Sequence, residues 1–190
     1  MPKQMIFTRD IVINTTYELI KNEGIESVNA RRIAKELKSS VHPIFRHFKD
    51  MEELKSVVYE KIYEKYCEYM LSGINNENAY KQMGLSYIKF AKDYPEFFKI
   101  IFMQKTNLNA EKFIITNAVS KEAIEAGQKL SNLSFKQQEE FHKKVWIFTH
   151  GIACLVATKT IEFSEEEISE LLGSTVLEML KGYKLGKQLM

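Results

Sequence analysis

The chain has 190 residues, 45% of them hydrophobic and 27% charged, with eight Gly, three Pro and a formal net charge of +2. So few turn formers exclude a many-stranded β fold, and so apolar a chain with so little net charge is not a disordered one. No stretch reaches the roughly 18 apolar residues of a membrane span, and the opening MPKQMIFTRD holds no run long enough for a secretory leader. The expectation is an all-α, cytoplasmic protein with no membrane partner.

In chain order, Val12, Ile13, Tyr17, Leu19 and Ile20 recur at helical spacing, with Thr8 placed to cap a first helix and Gly24 to end it. Asn29 caps a second, short helix with Ile33, Ala34 and Leu37 on one face and Arg31, Arg32, Lys35 and Glu36 on the other. A third runs from Val41 to about Phe48 with Ser40 as its cap. That places Pro43 third in the helix, where its missing N–H has no intrahelical acceptor to lose. The spacing of Leu37, Val41, Ile44 and Phe48 predicts the core face of this third helix. Three short helices with tight connections make a helix-turn-helix unit. Residues 1–50 hold nine Lys and Arg against six Asp and Glu, so the net positive charge gathers there.

A long fourth helix begins near Asp50, with Asp50, Glu52 and Glu53 at its positive end. It carries Leu54, Val57, Val58, Ile62, Tyr66, Tyr69 and Met70 as far as Ser72-Gly73. A fifth follows near Glu77 to Asp93, and Pro95 opens a short sixth, Glu96 to Gln104, whose FFKIIFM run reads as buried. Helices near Ala110–Lys129, Phe135–Thr160 and Glu165–Leu185 complete the chain, with Ser134 and Ser164 as caps and a capping box at Ser164-Glu165-Glu166-Glu167. The division expected is residues 1–49 as a three-helix front end and 50–190 as a larger apolar body.

Catalysis is not expected. The chain holds no nucleophile elbow, glycine-rich phosphate loop or HExxH pair, and His142 and His150 are two helical turns apart, too far for one metal centre. No metal and no cofactor is expected either. Cys67 and Cys154 lack CxxC spacing and read as packed thiols.

The pattern Val12-Ile13, Leu19-Ile20, Gly24-Ile25, Val28-Asn29, Arg32-Ile33-Ala34-Lys35-Glu36-Leu37, Ser40, Ile44-Phe45-Arg46-His47-Phe48, Glu53-Leu54 resembles the DNA-binding segment of TetR/AcrR-type transcriptional regulators. Trp146, His150, Gly151, Ile152 and Ala153 resemble the Trp-His-Gly motif of one C-terminal subfamily. The resemblance implies a homodimeric repressor that binds a double-stranded operator through its second helix-turn-helix helix and releases it when a small ligand enters the body.

The DNA-binding residues so implied are Asn29, Arg31, Arg32, Lys38, Ser39, Ser40, His42, Pro43, Phe45, Arg46, His47 and Lys49. Arg46 suits a bidentate contact to guanine, His42 a single one and Pro43 a thymine methyl, while Asn29, Arg31, Arg32 and Lys49, with Arg9 and Lys3, suit phosphates. Four positions depart from the family: Lys38 stands where Gly is frequent, Pro43 and Phe45 where Thr and Tyr are, and Met51 where Lys is usual. These departures motivate an alternative, a helical small-molecule-binding protein whose DNA binding is lost or independent of ligand.

In the body, Tyr87, Tyr94, Phe98, Phe102, Phe113, Trp146 and His150 are the candidate lining of an apolar site with polar tips for an apolar or amphipathic effector. Ile147, Leu155, Val156, Ile161, Ile168, Leu171, Leu172, Val176, Met179 and Leu180 offer wide apolar faces that a two-fold dimer would cover.

Overall fold

A computed structural model describes residues 7–72, 79–104, 118–131 and 133–186. Every regular element among them is helical: α1 Arg9–Glu23, α2 Ala30–Glu36, α3 His42–His47, α4 Met51–Leu71, α5 Ala79–Asp93, α6 Pro95–Phe102, α7 Ala118–Ser131, α8 Phe135–Ala157 and α9 Glu165–Gly186, with a 3-10 turn at Ile25–Ser27. The all-α expectation holds. Lys3, Phe113 and the expected start of a helix at Ala110 lie outside the described residues.

The chain packs as two compact units, residues 1–66 with 96–104, and 67–95 with 105–190. α6 and the part of α4 as far as Tyr66 pack with the three front-end helices.

In the first unit, local chemistry sets the helix ends. The Thr8 hydroxyl accepts from the Ile11 amide, and Gly24, at φ 81°, closes α1 by donating its own amide to the Ile20 carbonyl at 2.9 Å. Asn29 accepts from the Arg32 amide at 2.9 Å and so caps α2. Thr16 is buried in α1, which a threonine tolerates because its hydroxyl donates to the Val12 carbonyl at 2.8 Å. Val12, Ile20, Ile33, Ile44, Leu54, Val58 and Ile62 form the core with Phe97 and Phe98 of α6. The Tyr17 ring meets that of Phe97 at 4.7 Å.

Two expectations for α3 are corrected. Its cap position is Val41, with no side-chain cap bond, so Pro43 falls at the second helical residue; the Ser40 hydroxyl reaches only the His42 amide, at 3.4 Å. Val41 is 37% exposed and is not a core residue, whereas Leu37, Ile44 and Phe48 are buried as expected.

In the second unit, α5 packs mainly on α8, with α7 and α9 alongside. Tyr80, Met83, Tyr87 and Ile88 of α5 are buried, as are Phe141, Val145 and Ile152 of α8. Where α7 approaches α8, Gly127 leaves room for the buried Gln138 amide, which a Cβ there would displace. Both expected serine caps are present: Ser134 makes a reciprocal capping box with Gln137, and Ser164 does so with Glu167. Of the apolar residues on α9, Ile168 and Leu172 turn inward and are buried, while Leu171 and Leu177 stay exposed.

Candidate nucleic-acid interface

The turn between α2 and α3 is built on Lys38. Leu37 ends α2, Lys38 takes the left-handed conformation at φ 51°, and two backbone bonds close the turn, Lys38 N–H to Lys35 O at 3.1 Å and Ser39 N–H to Ala34 O at 2.9 Å. This is a Schellman closure, the geometry in which glycine is favoured because it has no Cβ. The same closure recurs at Lys159 after α8, at φ 54°.

Beyond that turn α3 buries Ile44 against the core and leaves Val41, His42, Phe45 and Arg46 exposed, with Pro43 and His47 half-buried. Arg31, Lys35, Lys38 and Lys49 are exposed on the same unit, as are Asn29 and Ser40, while Ser39 is half-buried. Lys35 was absent from the expected set, although its place on the polar face of α2 was legible. Val41 was missed because its spacing matched the core.

Two expected contacts are engaged within the fold. Arg32 is held between Glu23 and Glu36, its guanidinium bonding both Glu23 oxygens and meeting Glu36 at 2.9 Å. The pairing pushes the Glu23 carboxyl below its ordinary range and holds Arg32 more firmly protonated. His47 donates from Nε2 to the Phe7 carbonyl at 2.7 Å, which ties the segment before α1 to the end of α3. Arg9 lies over the Phe48 ring, 4.8 Å from its centre. Met51 is half-buried at the start of α4. The turn before it is held by Asp50, which accepts from the Glu53 amide at 2.9 Å, and by Glu53, which accepts from the Lys49 amide at 2.7 Å.

In the second unit three of the expected effector residues meet. Tyr87 and His150 Nδ1 share a hydrogen bond of 2.9 Å, and His150 stacks on Trp146. Cys154, one turn on, lies 3.4 Å from His150 Nε2. Burial lowers the His150 pKa and raises that of Cys154, so imidazole and thiol are both neutral at pH 7. Tyr94 lies apart from them, with Tyr69 and Phe90. Phe98 and Phe102 belong to the first unit, where their rings are 5.0 Å apart.

A second polar pair, which the sequence reading passed over, joins Tyr80 to His142 Nδ1 at 3.4 Å. Burial pushes His142 down to about 4. A groove of about 560 Å³ runs between α5 and α9, lined by Leu85, Lys89 and Lys92 on one side and Glu165, Ile168 and Ser169 on the other. None of the expected effector residues that are among the described ones lines it.

The first unit, with its exposed basic helix after a tight turn, defines a helix-turn-helix protein. Residues 12–56 match the family of bacterial regulatory proteins, tetR family. An HTH-type transcriptional regulator of Staphylococcus aureus is 34% identical over 61 residues, which cover 32% of this chain and 33% of that one; the chain therefore matches about a third of its relative's length. Among solved structures, a TetR-like transcriptional regulator from Rhodococcus sp. RHA1 is similar with a TM-score of 0.67 at 12% identity, covering 96% of this chain and 99% of that one. A TetR family member from Streptomyces coelicolor A3 is similar with a TM-score of 0.57 at 14% identity, covering 87% and 96%. Residues 12–56 are thus similar to the N-terminal domain of the tetR family, and the chain as a whole is similar in its all-helical fold to solved TetR-like regulators. No described helix is long and apolar enough to cross a membrane.

Proposed function

We propose that this protein is a cytoplasmic transcriptional regulator that binds a double-stranded operator as a homodimer, acts as a repressor, and releases DNA when a small apolar or amphipathic ligand binds its C-terminal body. The observation that carries the reading is α3, a helix exposed on one side with His42 and Arg46 and flanked in the chain by exposed Lys38 and Lys49, with Arg31 and Lys35 exposed on α2 of the same unit. Such a helix lies in the major groove while neighbouring cations hold phosphates.

Dimerisation is supported by the apolar faces left uncovered on α8 and α9, where Ile147 is 55% and Leu177 59% exposed. In such a dimer two copies of α3 reading successive major grooves would stand about 34–36 Å apart, one turn of the duplex. The effector reading rests on the cluster of Tyr87, Trp146 and His150, an apolar wall with two neutral polar tips. The Trp146-His150-Gly151 segment supports assignment to the Trp-His-Gly subfamily.

The test is selection of duplexes from a random library by the purified protein, followed by salt titration of the winner. The expected winner is palindromic, and its log K falls by about 0.9 per phosphate contact for each tenfold rise in salt. Binding that does not discriminate the winner from random duplex would overturn the reading.

A further inference from the structure

The solvent side of α3 is partly apolar. Val41 and Phe45 stand four residues apart, one helical turn, and are 37% and 45% exposed. Val41 has helical backbone angles, φ −72° and ψ −12°, so both side chains share one stripe. Next to them, three residues on from each, Ile44 and Phe48 are buried, so the stripe runs along the flank of the core face and is the part of that apolar surface left open to solvent.

The charge around the stripe selects its occupant. From Leu37 to Lys49 the chain has no acidic residue and carries Lys38, Arg46 and Lys49, all exposed. An apolar strip within a cationic field suits a polyanion that also presents carbon. The floor of the major groove is such a surface, because each thymine projects a C5-methyl group there.

We propose that Val41 and Phe45 read thymine methyl groups, making them specificity-determining residues of an operator with thymines facing the stripe. The inference rests on the DNA-binding reading above. It moves the thymine contact from Pro43, half-buried at the second position of the helix, to its two exposed neighbours.

The test uses the full chain and the duplex it selects. Each thymine is replaced singly by deoxyuridine, which removes the methyl group and keeps every hydrogen-bonding atom. Substitution at a contacted position is expected to weaken binding about fourfold, the value of burying one carbon. A variant with Val41→Ser and Phe45→Ser is expected to bind the thymine and deoxyuridine duplexes alike. Its circular dichroism should be unchanged and its Tm only modestly lowered, since both side chains are partly exposed and neither fills the core.

Equal affinity of the unmodified protein for all the substituted duplexes would overturn this inference and leave DNA binding standing. A double variant that changes subunit number and keeps its thymine preference would reassign the stripe to a contact between copies. No enriched duplex at all would overturn the DNA-binding reading, and this one with it.

Discussion

The imidazole of His150 stacks on the indole of Trp146 with ring centres 4.6 Å apart and planes 8° apart, while Tyr87 holds its Nδ1 at 2.9 Å. Trp146 is the chain's single tryptophan, so its emission reports this cluster alone. An effector that enters here must disturb the stack, and titration with an inducing compound should shift or quench the emission. His150→Ala and Trp146→Ala are expected to alter ligand response while leaving DNA affinity of the ligand-free protein largely intact. Equal loss of both properties in both variants would identify the cluster as a folding element.

His142 makes stability depend on pH. It is 6% exposed, and burial lowers its pKa to about 4 from an ordinary 6.5. The unfolded chain therefore binds a proton that the folded chain refuses. Stability is fully present above pH 6.5 and is lost as pH falls toward 4, by up to about 3 kcal/mol for a shift of this size. In denaturant titrations His142→Gln should flatten the slope between pH 6.5 and 4. An unchanged slope would mean that other groups set the acid limit.

How much of this was legible in the sequence follows the range of the forces involved. The caps at Thr8, Asn29, Ser134 and Ser164 reach three residues along the chain, and each was readable from neighbours alone. The core face of α4 was readable for the same reason: Leu54, Val58, Ile62, Tyr66 and Met70 are buried at strict four-residue spacing. Where the answer depends on one turn of register or on tertiary neighbours, reading failed. Val41 looked like core because it stands at core spacing from Leu37, Ile44 and Phe48, yet it lies on the flank of that face and is 37% exposed. Arg32 looked free because the carboxylate that captures it, Glu23, sits nine positions back across a turn. The aromatics of α5, α6 and α8 looked like one cavity, yet Phe98 and Phe102 pack in the first unit and Trp146 and His150 in the second.

Lys38 and Lys159 each hold a left-handed backbone in which a Cβ crowds the chain, at a cost of about 1–2 kcal/mol that glycine avoids. Glycine loses about 0.5–1 kcal/mol of that advantage through the greater freedom of the unfolded state. Lys38→Gly and Lys159→Gly are therefore each expected to stabilise by about 0.5–1 kcal/mol, and Lys38→Ala to give no gain. The two positions differ in function: only Lys38→Gly should also reduce the salt slope of DNA binding, by about one phosphate contact. Chemical denaturation and salt titration of the same variants separate the two effects.

Arg32 and Arg46 differ in what surrounds their guanidinium groups. Arg32 is spent between Glu23 and Glu36, with its side chain 27% exposed, whereas Arg46 is exposed on α3 and appears in no ion pair among the described residues. Arg32→Ala would leave Glu23, at the end of α1, and Glu36, at the end of α2, without the guanidinium that joins them, so a lower Tm is expected with little change in preference among duplexes. Arg46→Ala is expected to keep Tm and to cost about 1–3 kcal/mol of specific binding, relaxing preference at one base pair. Because the ion pairs of Arg32 are exposed to screening, its effect on Tm should shrink as salt is raised. Thermal denaturation at two salt concentrations, beside competition binding on single-base variants of the operator, measures both. A loss of base preference in Arg32→Ala with unchanged Tm would move Arg32 from the scaffold to the interface.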